Sequence, residues 1–162
     1  MHHETSIEIT ASPELIWSTL SEVERWPEWT NSVTEVERLD TGDFGVGSRV
    51  RVRQPGMPRL TWEVTEFARG EVFSWASKLP GVITTGGHRF APGPSGRGSG
   101  SDVESGRASG SDVPSGRVTV TLTLDHEGFL APVVWRLTGS RSRRYVQMEA
   151  EGLKRRCESG EG

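Results

Sequence analysis

A strand, a capped helix and a tryptophan-proline turn follow one another without interruption from Ser6 to Trp29. Ile7 and Ile9 alternate with Ser6, Glu8 and Thr10, the two-residue period of a strand with one buried face. Ser12 then suits an N-cap, Pro13 the first helical position, where its missing N–H costs nothing, and Glu14 the positive end of the helix dipole. Ile16 and Leu20 lie one turn apart and bury one stripe, with Trp17 beside it. Ser21-x-x-Glu24 reads as a capping box that opens a second short helix, and Pro27 is expected to end it. Trp26 and Trp29 would staple the two helices to a sheet edge.

Six further strand-like runs follow. Residues 33–39 are ambiguous in period, but the glycine-rich turn at 41–47 and the clean alternation of Arg49, Val50, Arg51, Val52 and Arg53 are not. Arg49, Arg51 and Arg53 share a face, best explained as a solvated row paired across strands with Glu35 and Glu37. A proline-glycine turn at 54–58 leads to strands over 60–64 and 73–77, Pro80-Gly81 turns the chain into 82–90, and Val118, Val120, Leu122 and Leu124 alternate with threonines in the last strand. The pattern is an antiparallel meander.

Residues 91–117 are of another kind: Gly, Ser, Pro, Arg and Asp dominate, and 98–107 is nearly duplicated by 108–117. With two valines as its only sizeable apolar residues, the segment cannot offset the entropy of being ordered, so a flexible hairpin tip inserted between the last two strands of a single domain spanning 1–162 is expected. From Phe129 onward the period is helical again: Leu130, Val133, Val134 and Leu137, then Tyr145, Met148 and Leu153, recur on one stripe behind Pro132, with Gly139 a weak point. A helix of ~25 residues is about 37 Å long, enough to cross a sheet.

Composition excludes several functions. A chain of 162 residues can bury about two thirds of its unfolded surface. The net charge of −3 argues against non-specific nucleic-acid binding, and the arginine-rich end of the last helix suits the negative pole of its dipole. The lone Cys157 and the absence of any signal-like or membrane-spanning apolar run point to a cytoplasmic protein. Four scattered histidines and one cysteine lack metal-ligand spacing, and the glycines at 42, 45 and 47 lie in a hairpin turn, where no phosphate loop would be. No cofactor is expected; oligomeric state is left open.

The order of elements, together with Ala11-Ser12-Pro13-Glu14, Trp26-Pro27-x-Trp29, Gly45-Val46-Gly47-Ser48, Trp62-Glu63-Val64, Phe73-x-Trp75, His88-Arg89-Phe90 and Tyr145-x-x-Met148-Glu149, resembles the START-like (SRPBCC) superfamily, in particular its bacterial polyketide cyclase/dehydrase branch. The likeness runs over about 5–90 and 117–157. It implies an α+β helix-grip fold: a curved antiparallel sheet of about seven strands wrapped around a long C-terminal helix, with two short helices after the first strand. It further implies a cavity between sheet and helix for lipids, polyketides, sterols or other apolar molecules.

The residues support such a cavity on their own account. Trp62 and Trp75 sit mid-strand on faces shared with Leu60, Val64 and Phe73, and Phe90, Tyr145 and Met148 add to the aromatic cluster. A packed core is the alternative reading. If Phe90 faces inward, alternation sends His88 inward too, an imidazole in an apolar cavity where it could act as acid, base or hydrogen-bond donor; a histidine bonded to a neighbouring group is the bland counterpart. Gly86 and Gly87 hint at close approach by helix or ligand. His126, at a strand end, is a weaker candidate.

Two functions stand against each other. A carrier or sensor of a hydrophobic small molecule is favoured by the lack of clustered titratable residues in the apolar strands. A polyketide cyclase, aromatase or dehydratase is favoured if His88 and Tyr145 converge. A protein-interaction module using the outer sheet face or the arginine-rich end of the last helix is a third, weaker reading.

Overall fold

The computed structural model of the chain describes residues 1–92 and 116–160. Seven strands, β1 (His2–Thr10), β2 (Glu35–Arg38), β3 (Arg49–Arg53), β4 (Leu60–Ala68), β5 (Val72–Leu79), β6 (Val82–Pro92) and β7 (Arg117–Glu127), form one antiparallel sheet in the order β1-β7-β6-β5-β4-β3-β2. Two α-helices, α1 (Pro13–Ser21) and α2 (Ala131–Glu158), complete the fold, with a 3-10 helix at Val23–Glu28 directly after α1. The helix-grip architecture expected from the sequence is the one found. The duplicated segment at 98–117 lies, but for its last two residues, outside the described residues; Ala91, Pro92 and Arg117, expected in the insertion, belong to β6 and β7.

Local chemistry explains the entry to the fold. Ser12 Oγ accepts from the Leu15 N–H at 3.2 Å, so α1 has the expected cap, and Ile16, Trp17 and Leu20 are its buried side chains. The second helix departs from expectation. Its N-cap is Glu22 with no side-chain cap bond, and Ser21 Oγ donates instead to Ser18 O. Pro27 sits inside the 3-10 turn, where the closing bonds run from Arg25 N to Glu22 O and from Trp29 N to Trp26 O and bypass the missing N–H.

The outer face of the sheet is as solvated as the arginine row suggested: Glu37 lies opposite Arg51 and pairs with it at 3.2 Å, while Glu35 binds Arg59 at 2.8 Å. A bulge between Val64 and Glu66 bends β4. The inner face carries the core, a single buried cluster running from Ile9 and Val120 through Phe73 and Trp75 to Val50.

Helix α2 crosses this inner face in two different ways. Its C-terminal half packs tightly: Leu153 and Ala150 are fully buried, and Gly152 approaches so closely that a Cβ would lie 2.4 Å from Trp29 O. Lys154 Nζ donates to Glu8 O at 2.7 Å and Glu158 accepts from Thr10 N–H at 3.0 Å, tying this half to β1. Its N-terminal half stands off the sheet, and the space left there is the cavity. Gly139, expected as a weak point, is buried against the Trp135 ring without interrupting the helix.

Candidate functional site

The floor of the cavity is the inner face of the β6–β7 pair. Alternation puts Thr84, Gly86 and His88 on that face of β6, and the register sets them opposite His126, Leu124 and Leu122 of β7. All six border one cavity of about 180 Å³. Gly86 widens it: a Cβ there would stand 2.8 Å from the indole nitrogen of Trp75. Trp62 and Trp75, with ring centroids 5.4 Å apart, form the wall on the β4–β5 side. The roof is the stripe Val134, Thr138, Ser142, Tyr145 and Glu149 of α2.

Of the nine wall residues expected from sequence, Leu60, Trp62, Trp75, His88 and Tyr145 border the cavity. The other four do not. Val64 is buried in the core, and Phe73 lies beneath the His88 imidazole, stacked on it with centroids 5.1 Å apart and planes 13° apart. Phe90 does face inward, but beyond the cavity, against Trp17 at 5.3 Å. Met148 falls one position off the inward stripe, since the turn above Tyr145 delivers Glu149.

Trp26, expected as a staple, has both roles: its indole N–H donates to Leu20 O at 2.9 Å, fixing α1 against the 3-10 helix, and its ring borders the cavity against Trp75 at 5.1 Å. Trp29 packs as a staple only.

The decisive polar feature is one the sequence reading missed. His88 Nε2 lies 2.7 Å from Glu149 Oε1, and its Nδ1 lies 3.1 Å from Phe73 O, with only 4% of the histidine side chain and 13% of the glutamate exposed. A carbonyl can only accept, so Nδ1 carries a proton and donates it. The contact between Nε2 and Oε1 then needs a proton of its own, on one partner or the other. His88 and Glu149 are therefore joined by a single proton bridge that faces an apolar cavity. Stacking on Phe73 and the edge of Trp26 at 5.8 Å hold the imidazole in place.

Tyr145 does not join this pair. Its hydroxyl donates to Pro55 O, and Arg141 Nη1 donates to Gly56 O at 2.6 Å. Residues 54–58, between β3 and β4, are thereby strapped to α2, and Gln54, Met57 and Pro58 of that strap close one side of the cavity. Gly56 supports the turn with φ of +69°, a conformation glycine adopts without strain.

At the other end of the floor His126 is buried, packs edge-on to Trp135 at 5.5 Å and leaves Nδ1 without a partner among the described residues. Burial, and then the positive amino group of Met1, hold its imidazole below the usual value of 6.5, with Asp125 pulling weakly the other way. Among the described residues no group of three His, Cys, Asp or Glu side chains could hold a metal ion, and no helix is long and apolar enough to cross a membrane.

A curved sheet gripping a long helix around an apolar cavity defines the helix-grip class of small-molecule-binding folds. The sequence matches the family described as polyketide cyclase / dehydrase and lipid transport over residues 1–158, and the chain belongs to that family. Among solved structures it is similar to a START superfamily protein from Mycobacterium smegmatis, at 18% identity over 98% of this chain and 97% of that one, with a TM-score of 0.66. It is also similar to a Thermus thermophilus protein at 17% identity over the whole of both chains, TM-score 0.69. The ZhuI aromatase/cyclase from a Streptomyces species is 16% identical over 100% of this chain and 98% of its own, TM-score 0.64. At these identities the likeness establishes the fold. No curated protein matches the sequence.

Proposed function

We propose that this protein binds a small hydrophobic molecule in the cavity between the sheet and α2. The observation that carries the reading is the cavity itself: tryptophan and leucine walls with one buried polar pair, His88 and Glu149, available to orient an occupant. Its size narrows the ligand. Drug-sized sites run to about 300–1,000 Å³, and an apolar cavity of ~150 Å³ takes up benzene, so a cavity of about 180 Å³ fits a body of one or two rings better than a sterol or a long acyl chain. An aromatic metabolite is therefore preferred among the classes that the family embraces. The single buried thiol, Cys157, supports a reducing, cytoplasmic setting.

The same pair supports a second reading, a cyclase or dehydratase. A proton shared between imidazole and carboxyl can be given to a carbonyl or departing hydroxyl while a proton is taken from the neighbouring carbon, as an aldol ring closure with loss of water requires. Binding without reaction is preferred, because among the described residues no further titratable group bonds to His88 or Glu149.

Native mass spectrometry of protein purified from its own host tests both readings. A co-purifying apolar molecule, with quenching of Trp62 and Trp75 fluorescence by 2-naphthol, is expected. No adduct and no response to a panel of naphthols, fatty acids and sterols would remove the binding reading. An occupant that loses one water on the wild-type protein and not on the Glu149→Gln variant would favour the enzyme.

A further inference from the structure

We infer that the cavity recognises its ligand at both ends, with His126 taking a second hydroxyl group of a molecule whose first polar group meets the pair of His88 and Glu149. This rests on the binding reading above and specifies the ligand as a flat apolar body oxygenated at two opposite positions. Three observations carry it.

The first is position. His126 faces Thr84 across the β6–β7 ladder and His88 faces Leu122, so the two histidines stand at opposite ends of one strip of floor. At about 3.3 Å per residue, Thr84 and His88 are roughly 13 Å apart along β6. Between them lie Leu124 and Gly86, which offer no side-chain hydrogen bond.

The second is the difference in how the two histidines are partnered. Both ring nitrogens of His88 are engaged, by Phe73 O and by Glu149. The His126 ring makes no hydrogen bond to any described residue; its Nδ1 is closed off, which leaves the unpartnered Nε2, which is not closed off, as the nitrogen a ligand can reach. Buried polar atoms are nearly always satisfied, and an unsatisfied one costs about 1–3 kcal/mol. A neutral imidazole has one N–H and one lone pair. A hydroxyl both donates and accepts, so it can bond to Nε2 in either tautomer, whereas a carbonyl fits only one.

The third is the far end. Glu149 spends Oε1 on His88, while Oε2 has no hydrogen-bond partner among the described residues and is not closed off. It is free to take a ligand hydroxyl.

The test compares 2-naphthol with 2,6-dihydroxynaphthalene by isothermal titration calorimetry on the full chain. The second hydroxyl should tighten binding about three- to tenfold, the worth of one hydrogen bond to an otherwise unsatisfied group. In His126→Phe, which keeps a ring against Trp135, the two probes should bind alike. On the wild-type protein, the imidazole nitrogen shifts of His126 should move with the dihydroxy probe and not with 2-naphthol, a readout independent of whether the variant folds. If 2-naphthol binds and the second hydroxyl adds nothing, the inference is overturned and the binding reading stands. If neither naphthol nor any apolar probe binds, the binding reading itself fails.

Discussion

The two halves of α2 meet the same sheet with opposite results. From Glu149 onward, small or fully buried residues, Ala150, Gly152, Leu153 and Cys157, let the helix close onto Trp29 and β1. Before it, the inward stripe is Val134, Thr138, Ser142 and Tyr145, and the tryptophans opposite hold helix and sheet apart. Close packing anchors one end and stand-off makes the cavity at the other. Polar side chains are tolerated inward only where the cavity begins, since a filled core would leave them unpaired. The anchored half is tied to β1 by Lys154 and Glu158, while the open half reaches across to the strap at 54–58 through Tyr145 and Arg141.

The sharpest way to break this contrast is to truncate one residue in each half. Leu153→Ala should cost about 2–5 kcal/mol and, at ~2–4 °C per kcal/mol for a chain of this size, lower Tm by about 5–15 °C. Val134→Ala, at a position already bordering empty space, should cost about 1 kcal/mol or less; equal losses in thermal melts would show that the halves pack alike. Next in size is Gly152→Ala. Helix propensity alone would gain about 1 kcal/mol, but a Cβ 2.4 Å from Trp29 O forces the helix outward, so a net loss of ~1–2 kcal/mol is expected, and a raised Tm would refute the close approach.

A smaller effect concerns pH. Well above 6.5 His126 is neutral whether folded or unfolded and contributes no pH dependence. As pH falls below 6.5 the unfolded chain takes up its proton first, so stability declines until the folded form titrates too. Melts between pH 7 and 5 should therefore show a shallower decline for His126→Phe than for wild type. Smallest is Tyr145→Phe, which removes the bond to Pro55 O. A stability change of about 1 kcal/mol or less is expected, together with faster dissociation of 2-naphthol in stopped-flow fluorescence; unchanged dissociation would mean that the strap does not limit exit.

How much of this could be read in advance differs by residue. Trp62 and Trp75 were legible because strand alternation is local and strong. His126 and Leu124 carried the same signal, continuing the inward face of Leu122, and the strand-end position obscured it. Glu149 was harder: helical spacing from Tyr145 admits the third or the fourth residue onward, and apolarity favoured Met148 over a carboxylate. What would have found it is the stripe Thr138, Ser142, Tyr145 and Glu149, polar residues recurring on the helix face that also holds Leu153.

The amino-acid sequence alone determined the elements and their order, because caps, turns and alternating periods act between neighbours, and the resemblance its motifs carry implied the helix-grip class. It also marked where the sheet would be solvated. Only the tertiary structure decided which inward residues meet across the cavity. The encounter of His88 with Glu149 joins positions 61 residues apart, and whether a buried face is filled or left open depends on how closely a helix can approach a curved sheet, which no local period records.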